Sequence, residues 1–264
     1  MTVRAYIATE GPHDVELLAG LLRPWGIRRV QKLSNVDPFW KRLIPKTFPH
    51  DDDLLKRMPV PTFFASETHS VALDAAVGID KLAARVEESL SILDATPATA
   101  AVLDADDGEP VARRHAELAV KLQKLGLPLP ARPGEISAES PRCGIYVLPD
   151  NATAGTLETL LEECAVVSYG ALLTHARGYV AGIDSLGMAA SELRELRKPA
   201  GRSKATIAAM AAILRPGRAI QVSLQDNNWL RGAALELPRV LAVRDFLADL
   251  LELPRPSTTP GSAP

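Results

Sequence analysis

Asp104, Asp106 and Asp107 place three carboxylates within four positions, directly after the apolar run Ala101-Val102-Leu103. Like charges this close repel, and burying them is costly unless something positive compensates. The compensating group can be a lysine, a solvated loop or a divalent metal. Two other strand-like runs also end in acid, "YIAT" in Glu10 and "YVLP" in Asp150. Carboxylates suit hard divalent ions such as magnesium or manganese, which are commonly held by one or two of them plus water and substrate phosphate. In an open parallel sheet the carboxyl ends of the strands face one crevice. Glu10, Asp104 and Asp106 are therefore expected to converge there.

The elements that must position them read as an α/β alternation. Strands are expected over 3–8, 28–33, 62–66, 70–77, 99–106 and 143–150, in a mostly parallel sheet of about four to five strands. Val15, Leu18 and Leu22 give one helical face, with Asp14 as its cap. Ile79, Leu82, Ala83, Val86, Leu90 and Leu93 mark an amphipathic helix, and another runs through Leu118 and Leu122. Residues 35–60, with four prolines and an Asp triplet, read as an irregular insertion holding one short helix. "TLETLLEECA" starts a helix behind the last strand. Beyond about residue 165 the pattern turns helical, including "SELRELRK" and "KATIAAMAAIL". The organisation expected is an α/β core over 1–165, a helical extension over 166–253 that completes the site, and a disordered tail over 254–264.

The chain has 264 residues, 47% hydrophobic and 23% charged, enough to bury a sizeable core. A formal net charge of -2 means that a nucleic-acid partner must meet a local basic patch. "RELRKPAGRSK" offers one, with Arg197, Lys198 and Arg202 as candidate nucleic-acid contacts. Cys143 and Cys164 form no C-x-x-C pair and suggest a reducing compartment. The chain enters "VRAYIATE" directly, as expected without a signal peptide, and no apolar stretch reaches the roughly 18 residues of a membrane span. A cytoplasmic protein with no membrane contact is the expectation.

"EGPHD" after the first strand, "DADD" after a later one and "PDNATAGTLE" after the next resemble the TOPRIM superfamily. It includes topoisomerases, bacterial primases and the overcoming-lysogenization-defect (OLD) nucleases. The likeness covers roughly residues 1–215 and is nearest to small stand-alone bacterial TOPRIM-like proteins. It implies a TOPRIM-like, Rossmann-like sheet sandwiched by helices. It also implies that Glu10, Asp104 and Asp106 hold Mg2+ or Mn2+ for phosphoryl transfer on DNA or RNA, with Glu10 able to act as general base or acid. Asp150 and Glu158 match the OLD nucleases' second metal site, and Lys204 the lysine near their metals. With no ATPase segment and no topoisomerase tyrosine context, the likeness implies a nuclease rather than strand passage. A homodimer is compatible with it.

Other chemistries fit parts of the pattern. Asp-x-Asp also occurs in haloacid-dehalogenase phosphatases, but those carry Asp-x-Asp-Gly-Thr/Ser on the first strand, whereas here Asp107 intervenes mid-chain. A receiver domain needs an acidic pair after strand one, not "TEGPHD". Asp150-Asn151 can make an Asx-turn, Glu158 can serve a helix N-terminus, and Lys204 can be a solvated surface lysine. "QDNNWL" reads as a turn anchored by Trp229 rather than a stacking platform, and His13 alone of the histidines lies beside a candidate ligand. The competing function is a non-catalytic module that binds nucleic acid or a partner protein through the same sheet.

Overall fold

Strands buried on both faces read as near-continuous apolar runs, and three such runs lie side by side in the sheet. The computed structural model describes residues 2–46, 60–106 and 110–255. The strands are β1 (Val3–Thr9), β2 (Arg28–Arg29), β3 (Thr62–Ala65), β4 (His69–Ala75), β5 (Ala98–Asp104) and β6 (Cys143–Leu148). They form one six-stranded sheet in the order β2-β3-β4-β1-β5-β6. The pairs β4–β1, β1–β5 and β5–β6 are parallel, whereas β3 runs antiparallel to β4, and β2 to β3. The protein is thus α/β with a mostly parallel sheet, and the central strands deliver their carboxyl ends to one edge.

The period of two along each strand sorts its side chains onto two faces. Ala5, Ile7, Ala100, Val102, Tyr146 and Leu148 enter one core layer; Tyr6, Ala8, Ala101, Leu103, Ile145 and Val147 enter the other. The second layer is covered by α2 (Ile79–Ile92) and α3 (Val111–Gln123), with Trp40 and Leu43 from a 3-10 turn (Pro38–Leu43). The first is covered by α1 (Pro12–Leu22), α4 (Leu157–Gly182), α5 (Gly201–Leu214), α6 (Ile220–Asp226) and α7 (Pro238–Leu251). The C-terminal helices share this layer with the strands. Phe246 of α7 packs on Tyr146 of β6 with ring centroids 5.2 Å apart and planes tilted by 60°. A Cβ at the neighbouring Gly144 would come within 2.9 Å of the Phe246 ring and 2.7 Å of the Glu135 carbonyl.

Several local expectations are corrected. The run 28–33 yields only a two-residue strand, and 190–200, containing "SELRELRK", folds as turns instead of a helix. The part of the 35–60 insertion before residue 47 forms short 3-10 turns, while 47–59 and the tail from 256 fall outside the described residues. Trp229 anchors its turn as expected: it is fully buried and its Nε1 donates to Ser223 Oγ at 3.0 Å. Both cysteines are buried and unpaired. Among the described residues, no helix is long and apolar enough to cross a membrane.

Candidate functional site

At the carboxyl ends of β1 and β5 lies a cavity of about 250 Å³ whose walls include Glu10, His13, Asp14, Asp104, Glu158 and Lys204. They come from the ends of two strands and the first turns of three helices. Glu10 follows β1, and its backbone is tied into the sheet edge on both sides: its N–H donates to the Val102 carbonyl at 3.2 Å, and its carbonyl accepts from Gly78 at 3.0 Å. His13 and Asp14 lie in the first turn of α1, which begins directly after Gly11. Asp104 is the last residue of β5, Glu158 is in the first turn of α4, and Lys204 is in the first turn of α5. The helical extension thereby contributes the cation.

The carboxylates are engaged by local donors. Gly11 N–H donates to Asp14 Oδ2 at 2.7 Å; α1 begins at Pro12, so Asp14 is not the N-cap expected for a helix opening at Val15 but the third helical residue, reaching back to the Gly11 amide. Asp104 N–H donates to Glu10 Oε2 at 3.3 Å, and Leu157 N–H, at the start of α4, donates to Asp104 Oδ1 at 2.8 Å. Thr156 Oγ1 donates to Glu158 Oε2 at 2.9 Å. Asp14 and Glu158 are only 5% and 7% exposed. The sequence suggested Asp14 as a cap only. Its place in the acid cluster follows from the burial of the α1 N-terminus, a packing fact with no local signature.

Crowded and desolvated, Glu10, Asp14 and Asp104 resist ionisation. Burial above all, then the nearby Asp14, Glu10 and Glu158, raises the Asp104 carboxyl well above the usual range, against the Leu157 amide. Burial, with Glu10 and Glu158, pushes Asp14 up to about 7, although the Gly11 amide and Lys204 favour its ionised form. Glu10 is raised by burial and by Asp106, opposed by the Asp104 amide, Arg114 and Lys204. His13 is lowered, chiefly by burial.

Asp106 sits beside this cavity, on the wall of a second one. Its backbone is left-handed, φ 57°, a conformation that Asp tolerates better than most residues. Its N–H bonds the Gly155 carbonyl at 3.0 Å, and its Oδ2 accepts from Arg114 Nη2 of α3 at 2.5 Å. Asp107 lies outside the described residues. Asp150 is at the same end of the sheet but walls neither cavity. Its carboxylate accepts from Ala152 N–H at 3.0 Å, Thr153 N–H at 2.7 Å and Arg239 Nε at 2.8 Å. Burial opposes ionisation of Asp150, but these bonds hold its carboxyl below the usual range. This is the Asx-turn geometry, fastened to α7 by an ion pair.

The basic run divides in two. Arg197 and Arg202 both pair with Asp184, away from the cavities, whereas Lys198 and Lys204 are wall residues. Arg114 is a cation of this region with no signal in the sequence. In "VARRHAEL" nothing distinguishes it from Arg113, which pairs with Glu117 on the outer face.

Glu10, Asp14, Asp104 and Glu158 are an all-oxygen set whose mutual repulsion a hard divalent cation would relieve. By donor chemistry they fit magnesium or manganese. Among the described residues, no three His, Cys, Asp or Glu side chains are arranged to hold one ion together. Glu10, Asp14 and Asp104 each accept a backbone N–H, and Asp106 turns to Arg114.

The fold and site define an α/β protein with a carboxylate-lined crevice at the ends of parallel strands. The chain belongs to DUF3226, a family of proteins of unknown function, whose model matches residues 4–252. No curated protein matches it. Among solved structures it is similar to the crystal structure of hypothetical protein PH0156 from Pyrococcus horikoshii OT3. That likeness has 16% identity over 94% of this chain and 95% of that one, with a TM-score of 0.46.

Proposed function

We propose that this protein carries out magnesium- or manganese-dependent phosphodiester chemistry on nucleic acid, as a nuclease of TOPRIM type. The observation that carries the reading is the cavity at the strand ends, where Glu10, Asp14, Asp104 and Glu158 meet Lys204. Four carboxyl groups, Asp14 and Glu158 of them buried, share this cavity with one exposed lysine, an imbalance that an added cation would offset. Glu10, Asp104 and Glu158 are the ligands of choice, with Asp106 joining once it leaves Arg114. A bound divalent ion supplies charge neutralisation on phosphate and a more acidic water.

The chain's own groups do the rest. Glu10, its carboxyl raised by burial and by Asp106, is suited to exchange a proton with an attacking water or a leaving oxygen. Lys204 stands on the walls of both cavities, where its ammonium can meet charge developing on a phosphate oxygen. Asp150, tied to Arg239, has a structural role in holding the β6–α4 connection.

The test is cleavage of single- and double-stranded DNA and RNA in magnesium and manganese, with Glu10→Gln and Lys204→Ala beside the wild type. Loss of all product in Glu10→Gln is expected. Lys204→Ala should slow cleavage by about tenfold to a thousandfold with a smaller change in affinity, since only differential stabilisation alters the chemical step. No product from wild type on any substrate, with nucleic-acid binding that persists in chelator, would instead establish a binding module.

A further inference from the structure

The acid cavity has a larger neighbour of about 600 Å³, and Lys204 lines both. Its charged wall residues are Arg114, Lys198 and Lys204 against Asp106 and Glu195. Both acids are already held, Asp106 by Arg114 at 2.5 Å and Glu195 by Lys198 Nζ at 2.6 Å. The Arg114 side chain is 19% exposed, and its Nε is buried with no hydrogen-bond partner among the described residues. A guanidinium is a planar fork of donors that matches phosphate oxygens in pairs. Here that fork grips one carboxylate and leaves a buried donor unused. Among the described residues, the wall includes no aromatic ring and no side-chain amide, the usual means of stacking on or reading a base.

The geometry points to a backbone-phosphate subsite: the larger cavity takes a phosphate of a nucleic-acid strand on Arg114, flanked by Lys198 and Lys204, whatever base is attached. Asp106 is the internal anion that holds the guanidinium until a phosphate displaces it. Displacement frees the Asp106 carboxylate. This subsite rests on the nucleic-acid reading of the acid cavity but is testable without turnover.

The experiment is fluorescence anisotropy of labelled single-stranded oligothymidylate and oligoadenylate in chelator over a range of salt, with inorganic phosphate as competitor. Wild type should bind both strands alike, with free phosphate competing only weakly. Arg114→Gln should weaken binding by about tenfold or more and reduce the salt slope by about one. Arg113→Gln, with the same charge change one position away, should leave affinity within about twofold. Asp106→Asn should tighten binding, because the competing anion is gone. If Arg114→Gln does not fold by circular dichroism, Arg114→Lys carries the test: it keeps the charge, loses the fork and should also bind more weakly. Arg114 variants that bind like wild type, equal losses in Arg113→Gln, weaker binding in Asp106→Asn, or no wild-type binding would each overturn the subsite. Cleavage assays in magnesium separate the two claims. Arg114-dependent binding without product defeats the nuclease reading alone, and product with Arg114-independent binding defeats the subsite alone.

Discussion

Asp14 is the clearest single-residue probe of the acid cluster, because its carboxyl is pushed up to about 7 from an ordinary 3.8. Between those values the folded protein binds more protons than the unfolded chain, so this group makes stability fall as pH rises from about 4 to about 7. Above that window the group's stabilising contribution is gone. Asp14→Asn keeps an oxygen for the Gly11 amide and removes the charge. Its melting temperature in chelator should exceed that of wild type at pH 8, by roughly 2–4 °C per kcal/mol relieved, with little difference at pH 4. Equal shifts at both pH values would mean that charge repulsion is not the cause. Glu10 and Asp104 were legible in the sequence because each follows an apolar run that must end at the crevice. Glu158 was legible only through the resemblance. Arg114 and the buried state of Asp14 were not, since neither periodicity nor residue type says which helical charge faces inward.

At the scale of elements, the strands that read most clearly were those buried on both faces, β1, β5 and β6, whose apolar runs leave no other assignment. The antiparallel direction of β3 follows from its connection, since only residues 66–68 join it to β4, too few for a parallel crossover. "SELRELRK" has helix-forming residues but buries only Leu193 fully, so nothing rewards a helix there over turns. The α7–β6 contact gives a prediction. Gly144→Val forces a side chain against the Glu135 carbonyl and the Phe246 ring and should cost about 1–3 kcal/mol or more. Gly178→Ala, in α4 with open space around it, should stabilise by about 0.5–1 kcal/mol. Urea unfolding of the two variants checks both signs, and a neutral Gly144→Val would contradict the close packing of α7 on the sheet.

For the whole molecule, a core of 1–165 followed by a helical extension describes the order of elements but not how they pack. Val243, Phe246 and Leu247 lie in the same core layer as Ile7, Val102 and Tyr146. A sheet covered on one face by the C-terminal helices should lose its structure together with them. Fluorescence dominated by the fully buried Trp40 and Trp229, one on each side of the sheet, should therefore unfold in one transition that coincides with far-ultraviolet circular dichroism. Two separated transitions would divide the extension from the core. This shared layer also explains how Lys204, about a hundred residues beyond Asp104, reaches the same cavity. The central claim, that this cavity gathers its carboxylates to hold a divalent cation, is tested most directly by anomalous scattering from a manganese-soaked crystal. A peak among Glu10, Asp104 and Glu158 is the predicted result; a fully soaked crystal with manganese only elsewhere, or with none, would contradict it.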